Sequence, residues 1–441
     1  MRSSSTITES YNKVIRLQAG NFCYVVNIGK TISLVNKYNC MTGKLTVIIL
    51  CLGISTVACK SKTVKIVNEK KGQLKATMKL VNIAEKKFLL DSNTAPRPQY
   101  IQLYSDSNGK MDLTFLNTYA NSIYFYDYKT ATFLKKISYD KKGPNGIPGL
   151  IAYYIRNQDS IYLFSRMSNE FVIANNKGKF GANISLINNI NIKNPAWTYL
   201  YPQYFPFTIT PILVSKNELV FPGQYGMSIP EVLIDTLKFT ANISLTNNHV
   251  THTHRYPRAL YGNNYNWARG YFTTVYSDLS PRDGEIIYSF PVSHDIYIAK
   301  IDAEGYRTVY AGSNEAGTIS SFNKKSSMRR ELPDDELLLK ACEMDLYSGI
   351  KYDKYRKVYY RFLRRALPDA NKKSKITDKP LAVIVFDENF NYLGETTLGK
   401  YKNYYCENSF VTEEGLNIEY IDDNDLKEDN LTFKIFSLQK K

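Results

Sequence analysis

His252 and His254 stand two residues apart, the spacing that sets two imidazoles on one face of a β-strand, as a pair of metal ligands requires. No carboxylate follows at ligand spacing, and the segment falls on an outermost strand, so the residues favour a surface histidine pair. His294, in Ser293-His294-Asp295, is the better-placed imidazole because it adjoins a long loop. To act as a base it needs a nucleophile or a substrate proton in reach, and neither is visible. Glu343, Asp345 and Glu407 are the oxygen donors a calcium site at the mouth of a central channel would use. Any chain of this size carries as many. Arg361 lies among aromatics in Tyr359-Tyr360-Arg361-Phe362. A guanidinium there must be paired or must face a wet channel, so it reads a carboxylate or phosphate ligand or holds a neighbouring acid. Both alternatives stay open. The chain has no Gly-x-Ser-x-Gly elbow, phosphate-binding loop, HExxH or paired-cysteine motif, hence no catalytic signature and no expected cofactor or metal.

Charge is the second source of chemistry. Residues 59–441 hold 51 Lys and Arg against 40 Asp and Glu. Long loops concentrate the excess: Lys141, Lys142, Arg258, Arg269, Lys324, Lys325, Arg329, Arg330, Arg365, Lys372, Lys373, Lys375, Lys379, Lys400 and Lys402. This predicts a basic face for an anionic glycan, a phosphate-bearing envelope component or an acidic protein, with Arg269, His294, Arg361 and Arg365 as candidate ligand-binding residues. A solvated lysine-rich surface is the competing explanation. No arginine-rich segment, helix-turn-helix or aromatic RNA-binding signature is present, which argues against nucleic acid.

The N-terminal part directs the chain rather than folding with it. Met41–Lys44 is a short basic start, Leu45–Ile54 an apolar run too short to span a membrane, and Thr56-Val57-Ala58 leads into Cys59. We read 41–58 as a lipoprotein signal peptide and Cys59 as the lipid attachment site, although Thr56 stands where such boxes usually have Leu. Residues 1–40 do not suit a position before a signal and read as an upstream extension. Residues 59–75 are polar and lysine-rich, as a tether would be. The expected location is the cell envelope, lipid-anchored to the outer membrane, on the periplasmic side because Lys60, Lys62 and Lys65 make the start of the tether basic. Only Cys342 and Cys406 remain beyond Cys59, giving one disulfide or two buried thiols.

The elements that must carry these residues are strands. Asn121–Asp127 is echoed by Asp159–Phe164, and short runs of β-branched and aromatic residues recur to the C-terminus. A recurrence built only of strands points to propeller blades. The expected blades are 99–104, 112–117, 121–128 and 133–139; 150–156, 159–164, 170–175 and 182–187; 207–214, 217–222, 231–239 and 249–256; 271–276, 285–290, 295–301 and 306–312; 344–352, 357–364, 381–387 and 394–398; and 405–411, 416–420 and 431–438. The last set lacks a fourth strand, which 76–90 supplies. Asn108-Gly109, Asp283-Gly284, Glu304-Gly305 and Glu414-Gly415 mark turns between strands. One helix is expected at 333–343, with Asp334, Asp335 and Glu336 near its positive end. The fold class is therefore all-β: a six-bladed propeller over 76–441, its last blade closed by an N-terminal strand.

Asn121–Asp127, Gly143-Pro144-Asn145-Gly146, Ile287–Phe290 and Tyr359–Phe362, behind a lipobox, resemble the bacterial lipoproteins of "domain of unknown function 4221". The resemblance covers 76–441 and implies a six-bladed propeller and an envelope address, with no activity to carry over. The expected function is a ligand-binding or protein-scaffolding propeller of the envelope; the alternative is a calcium-dependent hydrolase or lactonase at the channel mouth.

Overall fold

The computed structural model describes residues 63–441, except 107, 144–145, 189, 325–331 and 425–428, together with two short strands nearer the N-terminus. Those two, Arg16–Ala19 and Phe22–Val25, pair with each other, so Tyr24 has a cross-strand partner in Leu17. The proposed signal peptide, Cys59, Lys325, Arg329 and Arg330 lie outside the described residues.

From Met78 onward the chain forms six antiparallel four-stranded sheets. Blade one is Ile101–Ser105, Met111–Asn117, Ser122–Asp127 and Phe133–Ser138; blade two is Leu150–Asn157, Ser160–Ser165, Glu170–Ala174 and Phe180–Ser185. Blade three is Leu213–Ser215, Glu218–Pro222, Lys238–Ser244 and Val250–Arg255; blade four is Tyr276–Leu279, Glu285–Ser289, Asp295–Lys300 and Arg307–Tyr310. Blade five is Leu346–Asp353, Val358–Arg364, Pro380–Asp387 and Tyr392–Lys400. Blade six is Tyr404–Thr412, Gly415–Tyr420 and Asn430–Lys440, closed on its outer side by Met78–Leu89 through a register running from Asn430↔Leu89 to Lys440↔Met78.

Burial follows strand position. In blade one Ser122–Asp127 is buried almost throughout, whereas the outermost Phe133–Ser138 keeps only Ile137 inside. Aromatic residues fill the space within and between blades, for example Phe115 stacked on Tyr124 at 5.2 Å and Phe239 edge-on to Tyr288 at 5.2 Å. Turn glycines sit where positive φ is needed, as at Gly109 (φ 77°) and Gly284 (φ 72°). The expected helix is Asp334–Glu343, entered through Pro333, in the connection between blades four and five, and a one-turn helix, Arg258–Tyr261, lies between blades three and four.

Three expected strands are corrected. Residues 207–212 are no strand, so the inner strand of blade three is only Leu213–Ser215. The stretch 231–237 begins as a 3-10 turn after Pro230, and the third strand starts at Lys238. Gly270–Phe272 is also a 3-10 turn, moving the first strand of blade four to Tyr276. Residues 63–75, expected as a free tether, are docked. Lys65–Ile66 pairs with Ile319–Ser320, and Asn68 donates to the carbonyls of Ser313 (2.8 Å) and Ala316 (2.9 Å) while accepting from the Tyr310 hydroxyl (2.7 Å). Gly72 and Leu74 then bond to Asn314. A polar composition is compatible with docking because backbone groups and one buried amide do the holding.

Candidate functional site

In a blade of four antiparallel strands, the connections from second to third strand and from one blade to the next leave from the same face, so the long connections form one loop face. Beneath it the axis is filled. The turn Phe207–Thr210 is closed by Phe207 N–H on Thr210 Oγ1 (2.9 Å) and Thr210 N–H on the Phe207 carbonyl (2.9 Å). Although it belongs to blade three, the Ile101 amide of blade one donates to its Thr208 Oγ1 (2.9 Å), and Thr208 Oγ1 donates to Asn408 of blade six (2.7 Å). Lys351 Nζ of blade five donates to the Thr208 carbonyl (3.0 Å), and the Ile209 amide donates to the Glu407 carbonyl (2.9 Å). Only on the axis can one turn reach the inner strands of blades one, five and six. The Ile209 side chain occupies the place a Cβ on Gly349 would take, 2.0 Å away, so the blade-five strand admits this plug because it has glycine there.

Three acids near the axis each have a cation from elsewhere in the ring. Asp278 accepts the Tyr352 amide (2.9 Å) and is raised by burial, with Lys351 acting against the rise; burial lowers Lys351 in turn. Glu407 lies 3.8 Å from Arg364, whose Nη2 donates to Tyr276 (3.2 Å). Glu419, fully buried, accepts Arg97 Nε (3.1 Å) and Asn408 Nδ2 (2.6 Å). Burial pushes its carboxyl up to about 7, against the pull of Arg97. Except for Glu407, which sequence offered as a calcium donor, these polar residues were missed from sequence. The available signal was single polar residues inside otherwise apolar strands, as at Asn408 and Glu419.

Of the four candidate ligand-binding residues, Arg361 and His294 come together, Arg365 lies near them and Arg269 stands apart. Arg361 is fully buried, with its guanidinium 3.9 Å over the Tyr347 ring. Nε donates to Ser289 Oγ (3.0 Å), Nη1 to the carbonyls of His294 (2.9 Å) and Ala311 (2.8 Å), and Nη2 to those of Ser293 (2.9 Å) and Asp295 (3.3 Å). All five N–H groups are engaged, so Arg361 clamps blade five to blade four and has no donor for a ligand. His294 Nδ1 meets the Tyr347 hydroxyl at 2.8 Å, and burial with Arg361 nearby lowers the imidazole to about 4. Arg365 pairs with Glu315 and lies 3.7 Å from Asp345; Arg269 pairs with Asp334 (2.7 Å).

The histidine pair is also corrected. His252 turns to Tyr204 (3.3 Å), whereas His254, with φ 56°, turns to Tyr288 (2.8 Å) and the Lys300 carbonyl (2.9 Å) of blade four. The left-handed residue breaks the strand alternation and sends the two rings to different neighbours. Glu343 is exposed, Asp345 accepts the Gly317 and Ala366 amides, and Glu407 holds Arg364, so these three make no shared site. No group of three His, Cys, Asp or Glu suited to a metal occurs among the described residues. Cys342 and Cys406 are both free and buried.

Several of the loop cations are held in ion pairs, while Lys141, Lys142, Lys373, Lys375 and Lys400 are exposed on the same face. Arg258 pairs with Glu231 and Asp235, Lys324 with Glu336, Lys372 with Asp335 and Lys402 with Asp423, besides Arg269 and Arg365. Lys379 is buried and donates to the Ala341 and Met344 carbonyls, satisfying the C-terminus of the helix. The loop face also presents apolar side chains. Tyr119, Met167, Tyr199, Leu200, Val232 and Leu338 are exposed there, Tyr119 at 79% and Val232 at 84%; Tyr355 is exposed on an opposite-face turn, and Val67, Ile83, Leu89, Phe133 and Leu134 on the docked segment and the outermost strands.

A family model described as "Domain of unknown function (DUF4221)" matches residues 77–397. The crystal structure of a member of that family from Bacteroides vulgatus superposes with a TM-score of 0.65 at 20% identity, covering 83% of this chain and 99% of that one. Hydrazine synthase from Kuenenia stuttgartiensis (TM-score 0.41, 10% identity, 75% of each chain) is a more distant likeness. So is an inactive virginiamycin B lyase from Staphylococcus aureus (0.41, 10%, 81% of this chain and 99% of that one), and neither bears on what this chain binds. No protein of curated function matches the chain.

Proposed function

Because the chain belongs to the family of domain of unknown function 4221, a six-bladed β-propeller family whose description carries no activity, we propose a function from the site itself: a lipid-anchored envelope protein that binds a protein partner through its loop face. The observation that carries it is the exposure of Tyr119, Met167, Tyr199, Leu200, Val232 and Leu338 on that one face. Exposed apolar and aromatic side chains gathered on one surface are the anchors protein interfaces use. The ion pairs of the same loops argue for a partner recognised by shape and apolar contact more than for an anionic glycan. The hydrolase alternative gains nothing from the axis, where Thr208 and Ile209 fill the space and Asp278, Glu407 and Glu419 are held by Lys351, Arg364 and Arg97. The address rests on the signal-like 41–58 and on Cys59; no helix among the described residues is long and apolar enough to cross a membrane.

The test is photo-crosslinking in cells with a photoreactive amino acid at Tyr119, Met167 or Val232, and at Tyr355 on the opposite face. One adduct shared by the three loop-face positions and missing at Tyr355 is expected. Adducts at Tyr355 alone, or none from the loop face, would sink the proposal.

A further inference from the structure

Docking of residues 63–77 changes what the lipid anchor can do. The segment starts on the loop face: Thr63 Oγ1 donates to Asn323 (3.3 Å), the Val64 amide to Ser321 Oγ (3.0 Å), and Lys65–Ile66 pairs with Ile319–Ser320 in the connection between blades four and five. It then runs past Asn314 to the opposite end, where the Thr77 amide bonds to the Leu393 carbonyl and Met78 starts the closing strand. Only Lys60, Ser61 and Lys62 therefore separate Cys59 from a residue fixed on the loop face. Four Cα–Cα steps span at most about 14 Å when fully extended. An eight-residue strand such as Leu346–Asp353 is about 26 Å tall at its rise per residue, so the leash is shorter than the blade.

We infer that this leash turns the loop face toward the bilayer that holds the acyl chains, and that the partner it takes is a protein embedded in that same membrane. The inference rests on the reading of Cys59 as the anchor. A freely hanging propeller would need a tether longer than its own height; here most of the residues that could have formed one are stapled to the rim by Asn68, Gly72 and Leu74. A soluble partner would have to enter a gap of about 14 Å, narrower than most folded domains, whereas a membrane protein already presents its surface there.

The experiment couples the chain beginning at Cys59, through that thiol, to a maleimide lipid in phosphatidylcholine vesicles that contain a headgroup quencher. A fluorophore is introduced through an unnatural amino acid either at Lys373, on the loop face of blade five, or at Asn389, on the opposite face of the same blade. Quenching at Lys373 several-fold stronger than at Asn389 is expected, with the difference lost when twenty Gly-Ser residues are inserted after Lys60. Equal quenching at the two positions, or stronger quenching at Asn389, overturns the inference. Acylation in the cell is read separately, by mass spectrometry of wild type against Cys59→Ser; a missing lipid there removes the anchor reading and leaves the orientation result standing as geometry.

Discussion

Arg361 and Arg364 lie three residues apart on one strand of blade five and meet different ends. Arg361 finds four carbonyls and a hydroxyl of blade four, and its charge is spread over these five acceptors. Arg364 has a tyrosine hydroxyl, a carboxylate at 3.8 Å and the Tyr401 ring, while its buried Nε has no partner. The need for a partner at Arg361 was legible, because a guanidinium flanked by Tyr359, Tyr360 and Phe362 cannot be left in an apolar layer. Which partner was not legible, since backbone carbonyls of another blade leave no mark in side-chain types. Glu419 gives the residue scale its prediction. Its folded carboxyl, near 7, lies above the ordinary 4.5, so the native state keeps the proton longer than the unfolded chain. Its contribution is full below the ordinary carboxylate range and is lost as pH rises through 7. At about 1.4 kcal/mol per unit, wild type should lose about 2–3 kcal/mol relative to Glu419→Gln between pH 4.5 and pH 8, read from urea midpoints. A pH-independent difference between the two proteins would show that the carboxyl titrates normally.

Among the elements, the plug and the docked N-terminal segment explain most of what sequence reasoning misplaced. Phe207, Ile209, Ile212, Leu213 and Val214 have the composition of a buried strand, and residue type alone does not separate a strand from a turn packed against three other strands. Blades one, two, five and six were legible because alternation, turn glycines and strand length agreed. The echo of Asn121–Asp127 in Asp159–Phe164 was informative in a looser way: Ser122 opens a third strand and Ser160 a second, so it marks strands and not the blade period. The tight approach of Ile209 to Gly349 yields a prediction at this scale. Gly349→Ala puts a methyl where the isoleucine lies and should cost about 1–3 kcal/mol by overpacking. Adding Ile209→Ala should recover part of that loss, giving a coupling of at least about 0.5 kcal/mol in a double-mutant cycle. Additive losses would mean that the two residues do not share this space.

For the whole molecule, closure depends on one ladder. Met78–Leu89 pairs with Asn430–Lys440 along its length, and the Lys441 amide still reaches the Thr77 carbonyl. Without the first strand, the third strand of blade six becomes an exposed edge with unpaired backbone groups, a template for association. A chain starting at Ser92 should lose its cooperative thermal transition and elute as oligomers, and a synthetic 76–90 peptide should restore both the transition and the monomer. A sharp monomeric transition in the truncated chain would show that five complete blades and a three-stranded sixth suffice. The same ladder sets a timetable for biogenesis. The strand that leaves the ribosome first among the blades must wait for the one that leaves last, an interval of tens of seconds at ordinary rates of synthesis. Until then the ring stays open at one seam, so under the envelope address proposed above a chain that crosses a membrane while it is made has no finished propeller to unfold.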